Sequence, residues 1–128
     1  MPKEDVFLEY KQLDIVVMKQ NKPFIGIEVK KSKKEGSKLI EWMKKILPSP
    51  NLEINDRGND SLRKIKCLLS IKPEEFWVMC PEKTWKFKVK LINEKEISLE
   101  EVESNNPDKK QSFDKEEIKE YCKKQGVW

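Results

Sequence analysis

The 128-residue chain contains no histidine, and this absence removes several kinds of catalytic site. Ser-His-Asp and Cys-His nucleophiles, histidine general bases and histidine-ligated zinc are all excluded. Glycine is also scarce: the four glycines stand alone, so the chain has no glycine-rich phosphate-binding loop. Any catalysis must therefore use Asp, Glu, Lys, Tyr, Ser or Cys side chains, or a hard metal ion held by oxygen ligands.

Cysteines and long apolar runs are sparse as well. The three cysteines, Cys67, Cys80 and Cys122, form no Cys-x-x-Cys pair, and an odd, scattered set is typical of a reducing compartment. No apolar run approaches the length of a membrane span, and the first residues do not resemble a signal peptide. We expect a soluble, cytoplasmic protein with no membrane partner.

Charge is abundant but unevenly placed. Charged residues make up 39% of the chain and the net charge is +4. The segment 30–45 holds seven lysines and two acids, whereas the segment 93–108 holds six acids and one lysine. A basic segment beside acidic residues suits an enzyme that cleaves phosphodiesters, because lysines attract the backbone and carboxylates hold a metal. The alternative is a highly charged surface covered with ion pairs.

Hydrophobic periodicity predicts an α/β (α+β) fold with a central mixed β-sheet flanked by helices. Strands are expected over 6–10, 13–19, 24–31, 76–80 and 85–92, and a short element over 97–102. Helices are expected from Ser37 to about Leu47, from Asp60 or Ser61 to about Ile71, and after Asp114. One domain should span 1–128, with its core over about 6–92 and a peripheral acidic loop and C-terminal helix over 93–128.

The strands over 13–19 and 24–31 should form a hairpin that carries two acids at positions surrounded by apolar residues. Asp14 interrupts an Ile-Val-Val strand, and Glu28 follows another apolar run. Acids inside buried strands are costly without a partner. Residues two apart on a strand share a face, so Glu28, Lys30 and Gly26 should lie together, with Gly26 leaving room for a ligand. The opposite face, built by 25, 27 and 29, should pack on the core.

Two carboxylates, from Asp14 and Glu28, and the main-chain carbonyl of Val29 form a hard-oxygen set that suits Mg²⁺ or Mn²⁺. A metal there would polarise a phosphate and lower the pKa of a bound water. Lys30 would orient that water or stabilise developing charge. A purely structural interpretation stays open, in which the three side chains form a cross-strand ion-pair cluster.

The stretch LDIVVMKQNKPFIGIEVKKSK resembles the core of the PD-(D/E)XK nuclease superfamily, in which an Asp-bearing strand, a turn and a strand ending in Glu-x-Lys are followed by helices and another strand. It is similar to archaeal Holliday-junction-resolvase-like and other restriction-endonuclease-like domains. The resemblance implies that Asp14, Glu28 and Lys30 are catalytic and that the chain forms a homodimer. Glu9 would supply the further glutamate that many members carry upstream, which requires a bend near 11–12.

The expected function is therefore that of a metal-dependent DNA endonuclease that hydrolyses phosphodiester bonds in duplex or branched DNA, with structure specificity. Lys31, Lys33, Lys34 and Lys38 would contact phosphates, or else form a solvated face. Two alternatives stay open: a catalytically inactive nucleic-acid-binding module on the same fold, and a protein-interaction domain.

Aromatic and basic residues outside the hairpin carry weaker expectations. Three of the four tryptophans, at 42, 77 and 85, are expected in the core or at its edge rather than as stacking platforms. The lysines at 86, 88 and 90 alternate with apolar residues and should form a solvated stripe on one strand.

Overall fold

The computed structural model describes residues 5–10, 13–55 and 57–105, with side chains over 13–55 and 57–102. In chain order the elements are β1 (Asp5–Tyr10), β2 (Leu13–Lys19), β3 (Lys22–Val29), α1 (Lys33–Ile46), α2 (Asp60–Ile71), β4 (Glu75–Cys80), β5 (Lys83–Asn93) and β6 (Glu96–Asn105). The six strands form one sheet in sequence order. The mixed sheet with helices confirms the expected α+β class, while the helix expected after Asp114 lies outside the described residues.

The β2–β3 hairpin is tighter than the sequence predicts. Gln20 and Asn21 both have positive φ, 54° and 62°, and β3 begins at Lys22, two residues earlier than expected. Positive φ at both central positions is the geometry of a two-residue turn whose twist matches that of the flanking strands. The register pairs Val16 with Gly26 and Ile15 with Ile27.

β3 and β4 form the parallel pair of the sheet, and the crossover between them carries both helices. All other neighbouring strands are antiparallel. The first helix begins at Lys33, not after Ser37, because the Ser32 hydroxyl accepts a hydrogen bond from the Glu35 amide and caps the helix. Asn59 caps α2 in the same way through the Leu62 amide.

Both faces of the sheet are buried, which corrects the expected division into one core face and one functional face. Along β4, Phe76 and Val78 belong to one hydrophobic cluster and Trp77 and Met79 to another. Both helices pack into the cluster of Phe76, with buried residues Leu39, Met43, Ile65 and Leu68. Since Gly26 pairs with Phe76 and Glu28 with Val78, the helices cover the face expected to be functional.

Three further residues or elements differ from expectation. Lys86 is buried, with its ammonium 4.5 Å from the centre of the Trp77 ring, so it does not belong to a solvated stripe. Trp77 and Trp85 are core residues as expected, but Trp42 is 49% exposed. β6 extends to Asn105, past the short element expected over 97–102.

Neither α1 nor α2 of the described chain is long and apolar enough to span a membrane.

Gly36 brings α1 close to the sheet. A Cβ at this position would lie 2.5 Å from the Cζ3 atom of Trp85 and 3.3 Å from Val78. We expect Gly36→Ala to lower the free energy of unfolding by about 1–2 kcal/mol. Overpacking a core costs about 1–3 kcal/mol, and the gain in helix propensity is at most about 1 kcal/mol. Urea denaturation measures the change.

Ser37→Ala is the matched control, because Ser37 is the next residue of α1 and is exposed. A gain in helix propensity of at most about 0.7 kcal/mol applies there without an overlap, so this variant should be at least as stable as the wild type. A Gly36→Ala variant as stable as Ser37→Ala would contradict the close packing of α1 on Trp85.

Candidate functional site

Asp14 and Glu28 lie beside each other on the central hairpin. The register pairs Ile15 with Ile27, and one residue further along both strands brings Asp14 level with Glu28. The amide of Val29 donates a hydrogen bond to Oδ2 of Asp14 at 2.8 Å, which fixes that carboxylate at the end of β3. Asp14 is half-buried, and Glu28 is only 6% exposed. The structure thus brings the two predicted acids together inside the fold.

The two carboxylate oxygens of Glu28 have different surroundings. Oε2 lies 3.4 Å from the Lys64 ammonium and 3.5 Å from the Lys30 ammonium. Oε1 is buried and accepts no hydrogen bond from the described residues. Burial, followed by repulsion from Asp14, raises the pKa of Glu28 from its ordinary 4.5 to about 7, although the two lysines pull it down. The two lysines therefore compensate the buried negative charge of Glu28 only in part.

Lys30 connects the hairpin to the second helix. Its amide donates to the Met79 carbonyl at 2.8 Å, continuing the pairing of β3 with β4. Its ammonium lies 3.1 Å from Oδ2 of Asp60, in the first turn of α2. Burial alone would lower the pKa of Lys30, but the hydrogen bond to Asp60 and the charges of Asp60 and Glu28 raise it. Burial alone would raise the pKa of Asp60, yet its bonds to lysine lower it.

Asp60 and Lys64 are further residues of this site, and neither is among the site residues predicted from the hairpin. The Lys64 ammonium lies 3.4 Å from Oδ1 of Asp60 and 3.4 Å from Glu28, and the residue is 5% exposed. Lys64 stands three residues after Ser61 and four before Leu68, both buried, so it lies on the packed face of α2. A lysine within an apolar helical stripe is the signal that would have identified it. We call Asp14, Glu28, Lys30, Asp60 and Lys64 the carboxylate–lysine cluster.

The basic residues after the hairpin are only partly near this cluster. The amide of Lys31 donates to Glu35 at 3.1 Å and the amide of Lys33 to Glu82 at 3.0 Å, which fixes the backbone that follows Lys30. The side chains of Lys31, Lys33 and Lys34 are exposed and form no part of the cluster. Lys38, one turn further along α1, lines a groove next to it.

This groove, of about 720 Å³, runs between α1, the segment before α2, and the start of α2. It shares two residues, Lys30 and Asp60, with the carboxylate–lysine cluster. Its other lining residues are Glu35, Lys38, Leu39, Trp42, Asn55, Arg57, Gly58, Asn59 and Ser61. The groove therefore opens directly onto the cluster from the helical side of the molecule.

Glu9, the predicted further glutamate, belongs to β1, and its side chain lies outside the described part of the chain. The backbone pairing is informative nevertheless. Leu8 pairs with Ile15 and Tyr10 with Leu13, so position 9 falls opposite Asp14 in the register. The chain reverses between β1 and β2, and the two residues are not on one continuous strand. The bend expected near 11–12 lies outside the described residues.

The two carboxylates of the hairpin are ligands that suit a hard divalent cation. Asp14 and Glu28 provide the oxygens, and the buried, unbonded Oε1 of Glu28 is an oxygen that a cation would satisfy. Val29, whose carbonyl is the predicted third ligand, is held beside Asp14 by its amide. Within the described ranges, no group of three or more Asp, Glu, Cys or His side chains is arranged to hold a metal.

Gly26 does not leave the open space that the sequence predicts. A Cβ at Gly26 would lie 2.7 Å from Cδ1 of Leu13, and the Pro73 side chain lies 3.8 Å away. The space beside the glycine is therefore filled by core side chains, and a ligand can approach only from the groove side.

Comparisons of the chain with protein-family models, characterised proteins and solved structures give no match. Functional inference therefore depends on the cluster and the groove.

The raised pKa of Glu28 predicts a pH-dependent stability. The folded state binds the Glu28 proton more tightly than the unfolded chain does, so this group stabilises the fold fully below pH 4.5, and its contribution is lost as the pH rises through about 7. In a chelating buffer, the unfolding free energy of the wild type minus that of Glu28→Gln should fall by about 3 kcal/mol from about pH 4 to about pH 9. Denaturant titrations across pH measure it.

Glu100→Gln is the control with the opposite sign. A hydrogen bond from Lys90 lowers the pKa of the exposed Glu100, so its contribution is present at high pH and is lost as the pH falls. A difference for Glu28→Gln that stays constant with pH would show that the Glu28 carboxyl is not destabilised by burial.

Proposed function

We propose that this protein is a Mg²⁺- or Mn²⁺-dependent DNA endonuclease of the restriction-endonuclease-like, PD-(D/E)XK type. The observation that carries the proposal is the buried Oε1 of Glu28, which has no hydrogen-bond partner among the described residues, in a residue level with Asp14 on the neighbouring strand. A cation held by both carboxylates would compensate the charge that two lysines leave incompletely neutralised.

The order of elements supports this assignment. The resemblance places helices and a further strand after the Glu-x-Lys strand. In this chain α1, α2 and β4 follow β3 in that order, and β4 pairs with β3 in parallel. As a result, residues at the end of β3 meet the start of α2, where Asp60 contacts Lys30.

Asp14 and Glu28, with the Val29 carbonyl, would hold the metal ion. When bound, the ion would neutralise charge on the scissile phosphate and lower the pKa of a water. Lys30 would stabilise charge on the phosphate, since its ammonium lies 3.5 Å from Oε2 of Glu28 and its side chain is 22% exposed. The Lys30 ammonium has three N–H donors and contacts two carboxylates of the described residues, so its third donor could reach a phosphate oxygen. Asp60 and Lys64 position Lys30 and Glu28 from the helical side.

DNA would approach from the side of α1 and the groove. The exposed Lys31, Lys33, Lys34 and Lys38 at the start of α1 then contact phosphates, and Arg57 adds a further cation on the opposite side of the groove. A homodimer, which the resemblance implies, belongs to the same proposal, and light scattering coupled to size exclusion tests it.

The expected activity is cleavage of DNA that requires Mg²⁺ or Mn²⁺ and is stopped by a chelator. Asp14→Asn, Glu28→Gln and Lys30→Met should each lower the rate by about 100-fold or more, because each removes a charge that acts on the phosphate or the metal. The asparagine keeps an acceptor for the Val29 amide, so the hairpin is preserved. Cleavage of plasmid, single-stranded and branched substrates measures the effect. The variant Glu9→Gln tests whether Glu9 also contributes to cleavage.

Lys95→Met is the matched control, since Lys95 is an exposed lysine in the turn between β5 and β6. Full activity in all three site variants would contradict the assignment. Salt-dependent DNA binding without cleavage in either metal would instead support the inactive binding module. Absence of DNA and RNA binding at low salt would favour the interaction domain.

Metal binding should also be measurable without DNA. We expect Mn²⁺ to raise the melting temperature of the wild type, because a ligand at a hundredfold excess over its Kd stabilises the folded state by about 2.7 kcal/mol. Asp14→Asn and Glu28→Gln should lose this shift, whereas Lys95→Met should keep it. An equal shift in all four proteins would place the bound metal elsewhere.

A further inference from the structure

The groove beside the cluster contains an aromatic residue that phosphodiester hydrolysis does not require. Trp42 is 49% exposed although it is one of the largest apolar side chains of the chain, and it lines the groove with Lys38, Arg57 and Asn59. An exposed aromatic ring among cations is the combination that binds single-stranded nucleic acids, because cations track the backbone and the ring stacks on a base.

We propose that the groove binds an unpaired nucleotide whose base stacks on Trp42, so that the substrate is single-stranded DNA or DNA with a single-stranded segment at the site. This inference rests on the proposed function, because it treats the groove as the place where the cleaved strand is held. It identifies the substrate class, which the cluster alone does not determine.

The size of the groove favours a nucleotide over a double helix. Its volume of about 720 Å³ falls within the range of about 300–1,000 Å³ that is typical of pockets for single small molecules. A stacked duplex presents its phosphates, not its base faces, to a protein surface, so it would leave Trp42 unused.

The groove has unpaired positive charge. Among the described residues, neither Lys38 nor Arg57 has an ion-pair partner, and both are exposed. The acidic side chains of the groove are already engaged: the Glu35 carboxylate accepts the Lys31 amide, and Asp60 is paired with Lys30. Among the described lining residues, the three positive charges of Lys30, Lys38 and Arg57 exceed the two negative charges of Glu35 and Asp60, and this net charge of +1 complements a phosphate.

Trp42 keeps ring surface available for stacking. The ammonium of Lys45 lies 4.6 Å from the centre of the indole and covers one face. Lys45 is itself exposed and paired with Glu41, so it closes only that side. About half of the Trp42 side chain is exposed and the residue lines the groove that Lys30 shares with the cluster, so a base stacked on the exposed part of the indole would lie within that groove.

The test measures binding in a chelating buffer, where cleavage cannot occur. Labelled oligonucleotides are compared by fluorescence anisotropy: a single strand, a blunt duplex of equal length, and the same duplex with a single-stranded tail. The single strand and the tailed duplex should bind about 10-fold more tightly than the blunt duplex. Trp42→Ala should remove most of this preference, because loss of one base–aromatic stack weakens binding by about 5- to 100-fold.

Trp42→Phe should restore most of the binding, because phenylalanine also stacks, while the quenching of tryptophan fluorescence by the single strand should largely disappear. Ile92→Ala is the matched control, since Ile92 is 54% exposed and lies on β5, outside the groove. Lys38→Ala and Arg57→Ala should each reduce the slope of log K against log salt for the single strand by about 0.7.

The inference is overturned if the blunt duplex binds as tightly as the single strand, or if Trp42→Ala weakens both equally. These results are distinct from failure of the proposed function. Binding of the single strand through Trp42 without metal-dependent cleavage would contradict the nuclease and support the groove. Cleavage of blunt duplex that is unaffected by Trp42→Ala would support the nuclease and contradict the groove.

Discussion

The buried charge of Glu28 is the constraint around which the hairpin, the parallel strand and the second helix are arranged. An ionised carboxylate that is almost fully removed from water costs several kcal/mol unless cations and hydrogen bonds compensate it. Lys30 from the hairpin and Lys64 from α2 both approach Oε2, and Asp60 holds both lysines. The compensation is incomplete, because Oε1 is left without a described partner and Asp14 adds repulsion. The cluster therefore combines a network of ion pairs with one buried carboxylate oxygen, Oε1 of Glu28, that has no hydrogen-bond partner among the described residues.

The hairpin and its acids were predictable because their signals are local. β-Branched runs define β2, and period-two alternation places Glu28 and Lys30 on one face. Asp60 and Lys64 were not predictable in this way, because the contacts of Asp60 with Lys30 and of Lys64 with Glu28 depend on the parallel pairing of β3 with β4. The start of α1 was misplaced because two serines, Ser32 and Ser37, precede good helix formers, and only the structure shows which hydroxyl accepts an amide. The metal and DNA assignments stay proposals that the cluster and groove support.

The burial of both sheet faces explains two other errors. The sequence suggested that one side of β3 would face the core and the other would face a ligand. A strand buried on both sides carries no such division, and Leu13 fills the space beside Gly26. Lys86 alternates with apolar residues as a solvated lysine would, yet it is buried and its ammonium lies over the Trp77 ring. A third error, on α1, has a different cause. Trp42 was assigned to the core because it adjoins the apolar stripe of Leu39 and Met43, but it lies just outside that stripe and is exposed.

The contact of Lys30 with Asp60 joins two residues that are 30 positions apart in the chain. The segment between them contains α1, Trp42, Lys38 and Arg57, while Asp14 and Glu28 lie outside it. Changes at the exposed positions of this segment can thus reshape the groove without moving either acid, provided that the core residues of α1 stay packed and the two ends of the segment still meet. The residues that would select the ligand and the acids that would perform the chemistry therefore lie in different parts of the chain. The Lys30–Asp60 ion pair connects these two parts.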